Sequence, residues 1–467
     1  MNIVKIFFTI FFYLGASDAS SGPLTLENVL LSTDKYFPEI KASLKDIESS
    51  EQDKISKEGT FDTSLEIEGL SREKGYYSGD FVKVKLKKNL PIYGVKLNIG
   101  YKVSEGSFPV YEGERETLDN GEISAGISVP LLRNREIDKS RLNVFLATNK
   151  INKKKIKLLQ KRVKAREKAM KAYWTWLATG KVKDIYKRLL NIAEKRQVAL
   201  EKKHKRGDVA KIYLSENRQY ILKRQNKYLE AKNYFQNAAR NLAIFNRDEN
   251  GKPHVPKEES LNTRYLFEEA NKDHNYESYV EKIIQVHPDI KNIQNKIRRY
   301  EILEKEARVG MLPVLDFGFQ IRKDNGTGVR NLKGEDRRFG LNFSLPFENR
   351  KAKGRFQSSR IMQRSFSFSK QLLEEKINLK LRNLIDTINT NIKVFRNGQS
   401  EVRLAIKLEE AEQAKFFQGD SDFFVVNLRE QMTAEAQISN VISSLKVNKL
   451  KAQIQSLALV SNLDEEF

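Results

Sequence analysis

The chain has 467 residues, no cysteine and a formal net charge of +23, from 84 Lys and Arg against 61 Asp and Glu. Without cysteine it has no disulfide, no thiolate metal ligand and no thiol that could carry a lipid. So large a charge occurs in proteins that bind nucleic acid, anionic membranes or anionic cargo, and also wherever a basic proteome gives solvated helix faces. The lysines are spread along helical stretches and form no single stripe with interleaved aromatics, which argues against nucleic acid and favours solvated helix faces.

Residues 1–19 have the pattern of a cleaved export signal. A short basic start, Met1–Lys5, precedes an apolar core, Ile6–Ala16, and the small residues of Ser17–Ala19 offer a cleavage site. We therefore predict an exported protein whose mature chain begins near Ser20. No later run approaches the roughly 20 apolar residues that a membrane-spanning helix needs, so any membrane crossing would use β-strands.

The sequence repeats itself after about 250 residues, with helical and strand-like stretches in the same order in both copies. The matching segments are FPEIK (Phe37–Lys41) with HPDIK (His287–Lys291), ISVPLLRNR (Ile127–Arg135) with FSLPFENR (Phe343–Arg350), and RGDVAKIYL (Arg206–Leu214) with QGDSDFFVV (Gln418–Val426). We predict a pseudo-symmetric α+β fold with a first repeat at residues 20–245, a connecting segment at 246–275 and a second repeat at 276–467.

Two long intervals without proline, Leu131–Lys252 and Phe347 to the end, are predicted to hold the long helices, because an interior proline costs a helix about 3 kcal/mol. Apolar residues recur there with the seven-residue period of helices packed along a partner. These residues are Leu214, Ile221, Tyr228, Phe235 and Leu242; Ile438, Leu445, Ala452 and Leu459; and, with a similar stripe, Leu159, Val163, Met170, Trp174 and Leu177.

Helix lengths give a second argument. A single helix over Asn134–Arg206 would be about 110 Å long, and two shorter helices placed end to end would match it. Gly180 is its weak point, since a glycine inside a helix costs about 1 kcal/mol. The predicted shorter helices are Leu26–Gly59 and Asp208–Phe245 in the first copy, and the second copy repeats the arrangement with Tyr276–Arg308 and Asp420–Asn462 beside Asn349–Gln418.

Between the early helix and the long helix, each copy alternates apolar and polar residues with the period of a β-strand. The apolar positions are Leu65 and Ile67; Val82, Val84 and Leu86; Val95, Leu97, Ile99 and Tyr101; Ile123, Ala125, Ile127 and Val129; Leu315, Phe317, Phe319 and Ile321; and Phe339, Leu341, Phe343 and Leu345. A half-buried soluble sheet gives the same pattern, but the export signal favours the wall of an outer-membrane barrel. Because open sheet edges are not tolerated in lipid, several chains would have to share that barrel.

In this order, the segments resemble the TolC-like outer membrane efflux proteins, the trimeric exit ducts of Gram-negative efflux pumps and type I secretion systems. The resemblance covers nearly all of the mature chain. It rests on Pro38-Glu39 and Pro288-Asp289, LPVL at Leu312–Leu315, strand exits at Pro130 and Pro346 followed by basic helices, and Gly207 and Gly419 at the start of the return helices. Each of these features is weak alone, but their order, repeated twice, is specific.

The resemblance implies a passive duct that is not an enzyme and holds no cofactor. A homotrimer would close one β-barrel in the outer membrane lipid, with four strands from each protomer. The helices would form a long α-helical barrel continuous with it and projecting into the periplasm. Gly207 and Gly419 would mark the periplasmic tip, where the hairpins turn, meet a periplasmic adaptor protein and an inner-membrane transporter, and open.

The residues that we expect at the tip surround these glycines, each of which can end a helix in a left-handed conformation, with Asp208 and Asp420 as helix starters. The candidates for adaptor contact and gating are Lys205, Arg206, Gly207, Asp208, Tyr213, Phe416, Gly419, Asp420, Asp422, Phe423 and Arg429. Ordinary packing at helix ends explains them equally well. The charges expected to face the barrel lumen are Glu66, Glu68, Lys83, Lys85, Lys87 and Asp316, and inward lysines would favour anionic solutes.

The sequence departs from the family in two places. The first copy carries about 34 extra residues between its Pro-acidic dipeptide and its strand exit, which look like an added hairpin around NLPIYG and would give six strands instead of four. Family members often have an acidic residue six positions after each tip glycine, whereas this chain has Tyr213 and Val425 there. The acidic constriction is therefore not transferred to this chain.

Other functions have less support. The four histidines, His204, His254, His274 and His287, lie far apart without the spacing of metal ligands, and no phosphate loop or nucleophile motif is present. The main alternative is a soluble periplasmic coiled-coil adaptor or scaffold whose strands form a small capping sheet. A nucleic-acid-binding helical protein would require that the N-terminal segment is not a signal.

Overall fold

The structure is a computed structural model that describes residues 22–272, 275–328 and 332–458. The predicted signal, the predicted mature start near Ser20, His274 and Leu459 lie outside these residues. In chain order the main elements are α1 (Leu26–Tyr36), α2 (Pro38–Glu58), β1 (Thr63–Arg72), β2 (Gly79–Asn89), β3 (Lys96–Gly106), β4 (Glu122–Pro130), α3 (Lys139–Lys205), α4 (Lys211–Ala243), α5 (Arg264–Asn271), α6 (Val280–Val286), α7 (Pro288–Val309), β5 (Val314–Asp324), β6 (Gly334–Ser344), α8 (Arg350–Gln418) and α9 (Phe423–Ala458).

The internal repeat is confirmed by the order of these elements. Two short helices, a set of strands, a long helix and a return helix occur first as α1 to α4 with β1 to β4, and again as α6 to α9 with β5 and β6. Helix α5 lies in the connecting segment. The division of the sequence at residues 245 and 276 stays a prediction.

Each of the two predicted early helices is broken where its Pro-acidic dipeptide begins. Helix α1 ends at Tyr36 and α2 starts at Pro38, while α6 ends at Val286 and α7 starts at Pro288. Proline lacks the N–H that would continue the preceding helix, but its fixed φ suits the first helical position. The predicted helical stretches Leu26–Gly59 and Tyr276–Arg308 are therefore confirmed as helical, but each is divided at this dipeptide.

The long helices are continuous, including through Gly180. A Cβ atom at Gly180 would lie 2.5 Å from Cδ2 of Leu261 and 3.1 Å from Cε2 of Phe235. Glycine at this position lets the connecting segment and α4 pack closely against α3. The close contact explains why a residue that disfavours helices lies inside one.

The chain forms two compact units, each assembled from segments of both repeats. The first contains residues 164–276 and 383–456 with the N-terminal segment up to Pro38, and is helical. The second contains residues 39–163 and 277–382 with the remaining C-terminal residues, and includes all six strands. Helices α3 and α8 contribute to both units.

The predicted seven-residue series on α4 lies in the core of the first unit. Ile221, Phe235 and Leu242 are buried and Leu214 and Tyr228 are half-buried. The upstream series is buried at every predicted position: Leu159, Val163, Met170, Trp174 and Leu177.

Helix α9 differs from the prediction because much of its buried face is polar. Ile438 and Leu445 are only half-buried, whereas Asn448 and Lys451 are fully buried. Lys451 Nζ donates hydrogen bonds to the carbonyl oxygens of Glu269 (2.5 Å) and Lys272 (2.6 Å), at the C-terminal end of α5. The lysine thus satisfies carbonyl groups that a helix end leaves without partners, and fixes the connecting segment to α9.

The strands form one antiparallel sheet in the order β1-β2-β3-β4-β5-β6. The predicted added hairpin in the first copy is confirmed as β2–β3, which gives six strands in place of the four that the resemblance implies. Its turn uses left-handed backbone at Tyr93 (φ 52°) and Gly94 (φ 70°). β1 and β6 are the two edges of the sheet in the described residues.

The sheet has one apolar and one polar face, as the pairing register shows. Leu65 pairs with Leu86, Leu86 with Ile99, and Ile99 with Ala125, and the same face continues through Phe319 and Phe339 on β5 and β6. Across the described residues, no helix is long and apolar enough to cross a membrane.

Candidate functional site

The turn between α3 and α4 contains the first group of candidate residues. Helix α3 ends at Lys205, and Gly207 follows in the left-handed conformation (φ 85°). The amide of Asp208 donates to the carbonyl of Lys203 at 3.0 Å, and the Asp208 carboxylate pairs with Arg206 at 3.3 Å. The predicted role of glycine as the helix terminator is confirmed, since this six-to-one hydrogen bond is the one that ends many helices.

The second turn, between α8 and α9, has the same geometry. Gly419 is left-handed (φ 93°), and the amide of Asp420 donates to the carbonyl of Lys415 at 2.9 Å. Asp422 Oδ1 accepts a hydrogen bond from the amide of Phe424 at 3.4 Å, so Asp422 is the residue that caps α9. The expectation that the aspartates next to the glycines start the return helices was wrong, because Ala210 precedes α4 and Asp422 precedes α9.

Phe423 connects the first residues of both return helices. It is buried, and its ring lies 6.2 Å from the ring of Tyr213 and 6.3 Å from that of Tyr220, both edge to face. The guanidinium of Arg196 lies 5.4 Å from the Phe423 ring centroid. Two predicted site residues from different repeats, Tyr213 and Phe423, are therefore in one aromatic cluster.

The other predicted tip residues have more exposed environments. Lys203 Nζ lies 5.8 Å from the ring of Phe416, and Arg429 lies 3.9 Å from the carboxylate of Glu412. Ser421 Oγ also donates to Glu412, at 2.5 Å. The second turn is thus fixed to the last part of α8 through Glu412.

A buried charge cluster lies beside the aromatic cluster. Glu430 of α9 has a side chain that is 0% exposed, and Arg196 of α3 and Arg224 of α4 both donate to it, the latter at 2.9 Å. Asn427 Oδ1 accepts from both arginines, at 2.7 and 3.3 Å. We call Arg196, Arg224, Asn427 and Glu430 the charge cluster; it connects three helices around the fully buried Glu430 carboxylate.

Burial has opposing effects on the charges in this region. Desolvation lowers the pKa of Arg196, although the neighbouring Glu430 carboxylate counteracts it. Desolvation raises the pKa of Glu409 of α8, which is buried 4.0 Å from Arg188 and has Glu430 and Glu410 as acidic neighbours. Glu409, a carboxyl group that burial makes difficult to ionise, therefore lies near Glu430, which is paired with two arginines.

The charge cluster was not predicted from the sequence. Its signal was weak but present, because Arg224 lies three residues after Ile221, where a second core position of the heptad is expected. Asn217 occupies the equivalent position one heptad earlier and is also buried. Polar residues at core positions indicate buried networks, but which acid they pair with depends on the packing of α9 against α3 and α4.

The charged residues predicted on the strands share one face of the sheet. In the pairing register Glu66 is opposite Lys85 and Glu68 is opposite Lys83, and Lys87 forms an ion pair with Glu66. Asp316 lies on the same face, which continues through Lys102, Glu122, Arg322, Asp324 and Arg338. That this face borders a lumen stays a prediction.

Metal binding has no support in the described part of the chain, where no group of three His, Asp or Glu side chains is arranged to hold an ion. The sites therefore consist of helix turns, a buried charge cluster and a charged sheet face. The helix turns and the charge cluster position helices relative to one another.

Loss of one arginine from the charge cluster should destabilise the first unit. In the Arg224→Gln variant, Glu430 keeps only one cationic partner while it stays buried, and we expect a loss of about 3 kcal/mol. Arg218→Gln, on the exposed side of the same helix, should change the stability by less than about 0.5 kcal/mol. Denaturant unfolding of both purified variants measures the difference, and equal midpoints would contradict the assignment.

Replacing the buried acid Glu409 should have an effect that depends on pH. Burial raises the pKa of Glu409 in the folded chain, so the unfolded chain loses this proton at a lower pH. The free energy of unfolding therefore falls as the pH rises from the ordinary Glu pKa to the raised pKa of the folded chain. Above the raised pKa the free energy of unfolding stays reduced. Glu409→Gln imitates the protonated form and should raise the unfolding midpoint at about pH 8 but not below the ordinary Glu pKa of about 4.3. The exposed neighbour Glu410 provides the control, Glu410→Gln; a pH-independent effect would refute the explanation.

Solved structures of outer membrane channels have the same fold over almost the whole chain. CmeC of Campylobacter jejuni shows 13% identity and a TM-score of 0.61, covering 100% of this chain and 97% of CmeC. MtrE of Neisseria gonorrhoeae shows 12% identity and a TM-score of 0.62, covering 93% of this chain and 88% of MtrE. VceC of Vibrio cholerae shows 11% identity and a TM-score of 0.59, covering 93% of this chain and 96% of VceC.

No protein-family model matches the sequence, and no curated protein matches it. At these identities the similarity to the channels is one of fold. The α+β fold implied by the resemblance to TolC-like proteins is thereby confirmed: the chain has the fold of these outer membrane channels.

Proposed function

We propose that three copies of this chain form a passive exit duct in the cell outer membrane that projects into the periplasm. The duct would serve a tripartite efflux pump or a type I secretion system. A periplasmic adaptor and an inner-membrane transporter would open it at the helix turns. The similarity in fold to CmeC, MtrE and VceC, which are described as outer membrane channels or proteins, supports this proposal.

The observation that carries the proposal is the exposed apolar face of the sheet. Ile67 on β1 is 68% exposed, and Phe339 and Leu341 on β6 are each 72% exposed. Apolar side chains of this face are exposed on five of the six strands and half-buried on β5. Such a surface is costly in water and favourable in lipid. The alternative, a soluble adaptor with a capping sheet, would need this face to be covered, and in the described chain it is not.

The sheet edges support a trimer. Within the described part of the chain, β1 and β6 each have a neighbouring strand on one side only, so their outer N–H and C=O groups require partners in lipid. With alternating directions over six strands, β6 of one copy and β1 of the next would run antiparallel. Three such sheets would close a barrel of eighteen strands, wider than the twelve-stranded barrel that four strands per protomer would give.

The helix turns are the proposed gate. Around Phe423 and the charge cluster, α9 is fixed to α3 and α4, so moving the second hairpin requires breaking contacts with Arg196 and Arg224. A buried ion pair is costly to break while its members stay dry, which suits a closed resting state. Adaptor contact would be made by the exposed residues around Gly207 and Gly419.

The polar sheet face is proposed to line the aqueous lumen. In the pairing register this face carries eight cations against six acids. The cations are Arg72, Lys83, Lys85, Lys87, Lys96, Lys102, Arg322 and Arg338, and the acids are Glu66, Glu68, Glu122, Asp316, Asp324 and Asp336. Charged walls bias permeation through their potential. The lumen would therefore favour anionic solutes.

Two measurements test the duct itself. The chain should fractionate with outer membranes and migrate as a trimer after detergent extraction, because its apolar face and open edges need lipid and neighbours. Reconstituted in planar bilayers under a salt gradient, it should give reversal potentials showing anion preference. A monomer in the soluble periplasmic fraction would contradict the duct, whereas cation selectivity would contradict only the assignment of the lumen charges.

Removing the acidic charge at the second turn should weaken transport. Asp420→Lys combined with Asp422→Asn changes the charge and keeps a residue that can cap α9. We expect less crosslinking to the periplasmic adaptor and lower efflux, with Asp386→Lys on the exposed face of α8 as the control. Unchanged crosslinking and unchanged efflux would reject adaptor contact at this turn.

A further inference from the structure

The segment between β3 and β4, residues 107–121, folds back over the polar face of the sheet. We call it the strap. The amide of Ser107 donates to the carbonyl of Ser78 at 2.7 Å, a short 3₁₀ helix follows at Val110–Arg115, and Gly121 leads into β4 with φ 75°. Its course is fixed by contacts to several strands.

Three cations of the sheet hold the middle of the strap. Arg72 of β1 donates to both carboxylate oxygens of Glu112, at 3.1 and 3.2 Å. Lys102 of β3 donates to the carbonyl oxygen of Glu114 at 2.5 Å, and Arg338 of β6 donates to the Glu114 carboxylate at 2.8 Å. By register, all three cations lie on the polar face.

The end of the strap is held by hydrogen bonds to β3 and β5. The amide of Ser104 donates to the hydroxyl of Thr117 at 3.0 Å, and the amide of Thr117 donates to the hydroxyl of Ser104 at 2.8 Å. The amide of Leu118, which is buried, donates to Asp324 Oδ1 at 3.2 Å. The attachments thus extend from β1 to β6, about 24 Å at the usual strand spacing.

The strap also explains a buried aromatic residue on the polar face. Phe81 belongs to this face in the register but is buried, with the guanidinium of Arg115 4.9 Å from its ring centroid. Phe108 of the strap is buried as well and lies over Gly79, where a Cβ atom would come within 3.0 Å of its ring. Apolar burial thus adds to the polar attachments.

The strap covers the end of the sheet that is remote from the helices. Helices join the sheet at Thr63, Pro130 and Val314, whereas the strap attaches near the opposite ends of the strands, at Arg72 and Asp324. Val110 (96% exposed) and Tyr111 (84% exposed) of the strap are open to solvent.

We propose that the strap is the size-selecting segment of the pore, held on the inner wall at the outer mouth. This inference rests on the proposed function, in which the polar face lines the lumen. Three straps, one from each copy, would narrow a barrel of eighteen strands and place their Tyr111 side chains in the path of solutes. Pore diameter and the groups lining it determine which solutes pass.

The absence of cysteine makes the proposal testable in intact cells. Asn342→Cys places a thiol on the polar face, at an exposed position on the helix side of the strap. Tyr76→Cys, in the exposed loop between β1 and β2, is the reporter that the strap should not shield. Maleimides attached to polyethylene glycol of graded size are added from outside, so the periplasmic gate does not affect access.

Each reporter is combined with three backgrounds: the native strap, Glu112→Gln with Glu114→Gln to release it, and residues 109–116 replaced by three glycines. Glu335→Gln removes an acid paired with Arg337 on the apolar face and is the matched control. Releasing or shortening the strap should raise labelling of Asn342→Cys by large reagents on the order of tenfold, while small reagents label it in every background.

The outcomes separate this inference from the proposed function. The same size dependence at Asn342→Cys with native, released and shortened straps would overturn the role of the strap and leave the duct intact. If Tyr76→Cys is labelled but no reagent reaches Asn342→Cys in any background, the polar face does not line an open pore. That result would overturn the duct and the strap together.

Discussion

Backbone hydrogen bonding at the two edges of the sheet is the constraint from which the proposed assembly follows. In lipid, an unpaired N–H or C=O group costs several kcal/mol, so a sheet with exposed edges must close on itself or on its neighbours. In the residues that the structure describes, β1 and β6 are edges, and the apolar face between them is exposed on every strand but β5. The proposal of three copies around one axis satisfies both conditions at once, because each edge gains a strand and the apolar face meets lipid.

The helical unit is stabilised differently. Its core combines apolar residues such as Trp176 and Phe235 with buried polar groups, among them Glu430 and Lys451. Such groups contribute less to stability than well-packed apolar residues, but they select one arrangement of helices, because any shift leaves a charge without its partner. The protein is proposed to stay closed until its partners act, and in that proposal the buried charges would hold the helices in the closed arrangement.

The sequence predicted the fold where periodicity is strong and failed where a structure depends on distant partners. The strands, the long helices and the glycine turns follow from alternation, missing prolines and Gly207 and Gly419. Pro38 marks a break between two helices, which the predicted helix lengths did not include. The continuous helix at Gly180 depends on close packing against Leu261, which is distant in the sequence. The pairing of Arg224 with Glu430 and the contact of the strap with Arg338 carry no local period, since each joins residues more than 200 positions apart.

Closure of the sheet between copies can be measured by crosslinking across the proposed seam. Ile67→Cys on β1 is combined in turn with Phe339→Cys, Leu341→Cys and Phe343→Cys on β6, and with Asn342→Cys as a control on the opposite face. Disulfides form only where Cα atoms come within about 7 Å, so one pairing on the apolar face should give covalent dimers and trimers without reductant. If every combination gives only monomers, whether without a disulfide or with a disulfide inside one chain, the result would contradict a barrel shared between copies.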